Sequence, residues 1–189
     1  ADWIDAAMDF LSGEEIAPGG YVMLGVGARR RVRQPEPTQV LRWARALHER
    51  HGLHTVFTWS PGGRDDRLYP GDDDIAETVL ADCPTWIHPY RGELGVIVGL
   101  TWLAKTSIYP DSGLMHVAAT SPGGVVGLFA DPEHSSSPDV WGPRGERADI
   151  VVAPERVADL PDDDVLSKVW PRVMATPSGV RDPINNLAK

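Results

Sequence analysis

The triplet Asp111-Ser112-Gly113 stands between an apolar run, Leu100 to Ile108, and a helix-compatible segment that carries Met115, His116, Ala118 and Ala119. A helix opening on such a turn aims its first backbone N–H groups at whatever precedes it, which is how many proteins hold a phosphate. Asp111 and Ser112 are also natural N-caps, so by itself the triplet supports an anion site and a plain helix cap alike. His116 falls in the first turn of the same helix, close to any anion held there, although a purely structural role suits it as well. A second candidate is the turn Gly25-Val26-Gly27-Ala28, followed by Arg29, Arg30, Arg31 and Arg33. Glycine lets a backbone approach a ligand closely, and a guanidinium fork matches phosphate oxygens. The alternative is a solvated basic turn.

This second turn is not a dinucleotide fingerprint, because Arg30 stands where the third glycine would fall, which counts against a nicotinamide-dependent oxidoreductase. In Gly62-Gly63-Arg64-Asp65-Asp66, Asp65 or Asp66 could accept the hydroxyls of a ribose just past a strand end, or simply be solvated. His48, His51 and His54 run through Gly52 and off the helix, so they cannot share a face, and no metal site is expected from them.

The elements that must position these residues follow from apolar spacing. Trp3, Ile4, Ala7, Met8 and Leu11 predict a lead-in helix over Ala1 to Leu11. Strand, turn and helix then alternate. The strand Tyr21 to Leu24 precedes a helix over Thr38 to Arg50, and His54 to Trp59 precedes a helix over Asp74 to Leu80. Thr85 to Ile87 precedes the segment Leu94 to Leu103, and Lys105 to Ile108 feeds the Asp111 helix. Strands at Gly124 to Phe129 and Asp149 to Val152 and a helix over Val165 to Val173 complete the pattern. Such alternation predicts an α/β fold, a Rossmann-like parallel sheet with helices on both faces. The loop Asp131 to Arg147 is long for such a unit and is expected to lie over a site. Residues 1–20 read as lead-in helix and linker, 21–176 as one Rossmann-like domain, and 177–189 as a flexible tail.

Composition narrows the partners. With 189 residues, 18 of them basic and 27 acidic, the chain has room for one core and a net charge of −9, which argues against nucleic-acid binding. Its seven tryptophans therefore read as core and interdomain surface rather than stacking platforms for bases. The single cysteine, Cys83, excludes an internal disulfide and fits a reducing compartment. No apolar run is long enough to span a bilayer. The chain starts at Ala1 with no basic-then-apolar leader, so no signal peptide is read, and a piece of something longer is expected.

Taken in order, the residues resemble the C-terminal domain of glycosyltransferase family 9, the ADP-heptose:lipopolysaccharide heptosyltransferases. The likeness runs from Tyr21 to Val152. It rests on the Gly-Ala-Arg-Arg turn, the Trp59 to Asp66 turn, Tyr90-Arg91-Gly92 with Leu94 to Leu103, and the Asp-Ser-Gly-x-Met-His motif. Gly127-Leu128-Phe129, Asp131-Pro132 and Trp141-Gly142-Pro143 complete it. The resemblance implies a GT-B architecture in which this half holds the nucleotide-sugar donor, ADP-linked in the family, without a cofactor or metal. Asp111, Ser112, Gly113 and His116 would face the donor diphosphate, with Gly27, Ala28, Arg29, Arg31 and Arg33 lining the phosphates and the transferred sugar. Asp65 or Asp66 would take the ribose.

The family usually carries a lysine in the first turn, where this sequence has Arg31, Val32 and Arg33, and an arginine offers a different geometry. The N-terminal domain expected to bind the glycan or lipopolysaccharide acceptor, and to supply the general base, has no counterpart in these residues, so the catalytic residues are unknown. A stand-alone nucleotide-sugar-binding subunit, completing a site with another chain, is the non-enzymatic alternative. The full enzyme is expected in the cytoplasm at the inner face of the membrane. The isolated half is expected to self-associate through its cleft surface.

Overall fold

A computed structural model describes residues 2–175, apart from 82, 132, 134 and 135. The tail 177–189 and Pro132 of the Asp131-Pro132 motif lie outside the described residues. Among the described residues six strands, β1 (Tyr21–Gly25), β2 (His54–Thr58), β3 (Ile87–Tyr90), β4 (Thr106–Pro110), β5 (Val125–Phe129) and β6 (Ala148–Val152), form one sheet in the order β3-β2-β1-β4-β5-β6. Every pairing is parallel. Among the described residues seven helices are interleaved: α1 (Asp2–Gly13), α2 (Pro37–His51), α3 (Asp73–Ala81), α4 (Leu94–Leu103), α5 (Gly113–Thr120), α6 (Pro138–Trp141) and α7 (Asp162–Met174).

Strand periodicity divides the core in two. On β1, Val22 and Leu24 join a cluster with Val40, Trp43 and Leu47 of α2, Ile75 and Val79 of α3, and Val165 and Val169 of α7. Tyr21 and Met23 point the other way, toward Ala7 and Leu11 of α1, Val96 and Leu100 of α4, and Met115 and Ala118 of α5. Both faces are covered, as a fully buried parallel sheet requires. The α/β, Rossmann-like expectation holds.

Local chemistry explains the boundaries. Pro37 opens α2, where a missing N–H costs nothing, and the Gln39 side chain accepts from the Glu36 N–H at 2.8 Å. Gly52 ends α2 in the left-handed region at φ 65°. Two expectations are corrected, the start of the third strand and the loop after β5. The third strand starts at Ile87, because Pro84 to Trp86 form a turn closed by the Ile87 N–H donating to Pro84 O at 3.0 Å. β3 tolerates Pro89 because it is an edge strand bonded only to β2. The segment Leu94 to Leu103 is the helix α4, and the strand read over Lys105 to Ile108 is β4, shifted to Thr106–Pro110. The long loop after β5 contains α6, whose Asp139 N–H is capped by Ser137 Oγ at 3.3 Å.

In this strand order the connection leaving β1 runs toward β2 while that leaving β4 runs toward β5. The sheet's switch point therefore lies between β1 and β4. A crevice opens there, beyond the carboxyl ends of the two strands.

Candidate functional site

The β4 strand delivers Pro110 to the crevice, and Asp111, Ser112 and Gly113 follow immediately. Ser112 holds the N-cap position of α5 in extended backbone (φ −159°, ψ 168°), but no side chain caps the helix. The Ser112 Oγ is buried without a hydrogen-bond partner among the described residues. Asp111 instead ion-pairs with Arg33, Nη1 to Oδ2 at 2.9 Å, with side-chain exposures of 17% and 10%. The plain-cap reading is thereby removed. The first N–H groups of α5 are left to whatever occupies the crevice, where the helix dipole favours an anion. A Cβ placed on Gly113 would touch nothing within 4 Å, so this glycine leaves open space rather than relieving a packing clash.

The turn after β1 forms the opposite wall. A cavity of about 900 Å³ is lined by Gly27, Ala28, Arg29 and Arg33 from this turn and by Asp111, Ser112, Gly113 and His116 from the start of α5. Ser60, Leu68 and Tyr69 of the loop after β2 and Trp141 of α6 complete its rim. Arg29 and His116 are solvent-exposed cationic or ionisable groups at this wall. The expectation that the long loop Asp131 to Arg147 lies over a site agrees with the positions of Ser136 and Trp141.

Three expected site residues lie elsewhere. Arg31 is outside the lining and pairs with Asp74 of α3 at 3.1 Å. Asp65 and Asp66 do not line the cavity either. The Asp66 carboxylate accepts from the N–H groups of Leu68 and Tyr69 at 2.8 and 2.9 Å, and these bonds hold its pKa below the usual carboxylate range.

Behind the cavity wall sits a cluster that sequence spacing does not reveal. Asp72, its side chain 1% exposed, accepts from Gln34 Nε2 at 2.5 Å and pairs with Arg64 Nη1 at 3.0 Å. Its second oxygen accepts from the Ser60 N–H at 3.3 Å. Burial pushes the Asp72 carboxyl up, opposed by the bonds from Gln34 and Ser60 and by the Arg64 charge. Gly27 packs tightly here, since a Cβ would lie 2.9 Å from Ser60 Oγ. The only sequence hint was the charge density of Asp72-Asp73-Asp74, which reads as an ordinary acidic helix start.

Among the described residues, no group of three or more His, Cys, Asp or Glu is arranged to hold a metal. His54 does approach His88, Nδ1 to Nε2 at 2.8 Å, and His88 Nδ1 lies 2.7 Å from Glu14 Oε2. This cluster sits at the amino end of the sheet, away from the crevice.

Fold and site together define a doubly wound, Rossmann-like domain of the GT-B type, with an uncapped helix terminus and arginines at its switch point. The sequence profile of glycosyltransferase family 9 (heptosyltransferase) matches residues 42–169, and the chain belongs to this family. Among solved structures, the chain is similar to the ADP-heptose LPS heptosyltransferase II of E. coli, at 20% identity and TM-score 0.69, over 89% of this chain and 51% of that one. It is similar to the E. coli heptosyltransferase WaaC with ADP, at 14% identity and TM-score 0.68, over 88% and 48% of the two chains. For a family 9 glycosyl transferase from Veillonella parvula the values are 17%, 0.73, 93% and 52%. The chain thus spans about half the length of these structures. No curated protein matches the sequence.

Proposed function

We propose that the chain is the donor-binding half of an inverting, heptosyltransferase-like glycosyltransferase, which passes a sugar from a nucleotide diphosphate to a glycan acceptor. One observation carries this reading: the uncapped start of α5 faces a cavity that Arg29, Arg33 and His116 share. Sugar transfer leaves a nucleoside diphosphate whose charge grows as the glycosidic bond breaks. Helix N–H groups and guanidinium forks, fixed before the reaction, stabilise that charge. Arg29 and Arg33 bind the phosphates, Ser112 and Gly113 offer backbone N–H groups, and Ser112 Oγ supplies a further donor.

The ribose hydroxyls fall to the loop Ser60 to Asp72. Ser60, Leu68 and Tyr69 of that loop line the cavity, whereas Asp65 and Asp66 stand outside it. Family membership and the names of the similar structures favour ADP-heptose as donor and lipopolysaccharide as acceptor. The acceptor and the general base that takes its proton belong to a second domain, so this chain binds donor and transfers nothing alone. Titration calorimetry with ADP, competed by UDP, GDP and NAD, tests the reading. Saturable binding that prefers ADP is expected. Binding of none of the four, or efficient sugar transfer by the chain alone, overturns it.

A further inference from the structure

The cluster behind the cavity wall grips the phosphate turn by its carbonyls. Arg64 Nη1 donates to Ala28 O at 3.1 Å, and Arg64 Nη2 donates to Arg29 O at 3.1 Å. Gln34 Nε2 donates to Val26 O at 2.9 Å as well as to Asp72. Asp72 thus holds both donors and the Ser60 N–H at once, tying the turn after β1 to the loop after β2. None of Arg64, Asp72 and Gln34 lines the cavity, whereas Gly27, Ala28 and Arg29 do.

In a planar trans peptide the C=O of one residue and the N–H of the next point in opposite directions, and the described chain contains no cis peptide. Pulling Val26 O and Ala28 O back toward Gln34 and Arg64 therefore turns the N–H groups of Gly27 and Arg29 away from the cluster, to the cavity side. Neither N–H finds a backbone acceptor among the described residues. Two N–H groups turned to one side from alternate residues of a turn can share an anion between them, as in the concavities that main-chain N–H groups form.

We propose that Arg64, locked by Asp72, is a positioning residue that aims the Gly27 and Arg29 N–H groups at the donor diphosphate, giving it a second backbone cradle opposite α5. The proposal rests on the donor-site reading and adds to it a residue that works from behind the wall. The arginine of Gly63-Arg64-Asp65 therefore serves phosphate binding through the main chain, without touching the ligand. Arginine suits this task because its fork reaches two carbonyls and a carboxylate together, which a lysine ammonium cannot do in one geometry.

The test titrates the 189-residue chain and its Arg64→Met, Arg64→Lys and Asp72→Asn variants with inorganic pyrophosphate and with ADP, following amide 1H–15N resonances. In the unaltered chain, pyrophosphate is expected to move the Gly27 and Arg29 amides along with those of Gly113 and Leu114. Arg64→Met should weaken both ligands about tenfold or more, as expected for losing an aimed donor to a charged group, and should abolish the Gly27 and Arg29 shifts. The Gly113 shift should persist. Arg64→Lys should restore only part of the affinity. Asp72→Asn, which keeps the shape, should fall between the two and shows that the effect is not unfolding; circular dichroism confirms the fold of each variant. Arg64→Met binding with unchanged affinity, or the Gly27 and Arg29 amides staying still while Gly113 moves, overturns the proposal and leaves the donor site intact. If the unaltered chain binds neither ligand, the donor-site reading falls and this proposal with it.

Discussion

Gly113 and Arg33 separate binding from stability at the level of single residues. Gly113 has ordinary backbone angles and open space where a Cβ would stand. Gly113→Ala is therefore expected to leave thermal stability within about 1 kcal/mol of the parent, while the added methyl weakens ADP binding by intruding on the phosphate. Calorimetry and a thermal melt on the same sample check both halves. Arg33 behaves differently, because Asp111 is mostly buried against it. Arg33→Met should cost about 1–3 kcal/mol of stability by leaving a carboxylate short of its partner, in addition to weakening ADP binding. Arg29 is exposed and makes no ion pair among the described residues, so Arg29→Ala should weaken binding without lowering the melting temperature. The loss should shrink as salt rises, since an exposed charge is screened. A fall in stability for Arg29→Ala, or none for Arg33→Met, would reverse these assignments.

Two elements invite tests of their own. β1 ends at Gly25, where a Cβ would lie 2.2 Å from the ring of Tyr109 on the neighbouring strand β4. The glycine that looked like part of a phosphate turn is thus required by strand packing. Gly25→Ala should cost about 1–3 kcal/mol through overpacking, read as a lower denaturant midpoint. At the amino end of β2, burial and the neighbouring His88 and His48 lower the pKa of His54 from its usual value. The folded state prefers neutral His54, so its contribution is complete above about pH 6.5 and is lost as pH falls below that. The chain should melt at a lower temperature at pH 5 than at pH 7, and His54→Gln should flatten that difference. An equally steep fall in the variant would place the titrating group elsewhere.

For the whole molecule, the balance of charge and the location of the site pull in opposite directions. The chain carries a net charge of −9, yet the cavity wall presents Arg29, Arg33 and the positive end of α5. Attraction of a diphosphate is therefore local and short-ranged, and affinity should fall with ionic strength more weakly than for a uniformly basic protein. Large apolar side chains also stand exposed at the rim, with Tyr69 81% and Trp141 59% accessible. No helix of the described residues is long and apolar enough to cross a membrane.

The order of strands and helices, the family and the Asp111 turn were legible in the sequence, because they depend on spacing between neighbours and on turn chemistry that acts over a few residues. Boundaries slipped where a proline turn moved β3 to Ile87, and the segment after β5 that read as a loop holds the short helix α6, since a Pro-, Ser- and Gly-rich stretch carries no apolar spacing to mark one helical turn. Whether Asp111 caps its helix or turns to Arg33 could not be read locally: the two residues are 78 positions apart and meet only because β1 and β4 are neighbours in the sheet. The same holds for Arg64, Asp72 and Gln34, whose types are unremarkable in their own segments. Burial makes their bonds matter, and burial is a property of the packed sheet and its loops rather than of any stretch of chain.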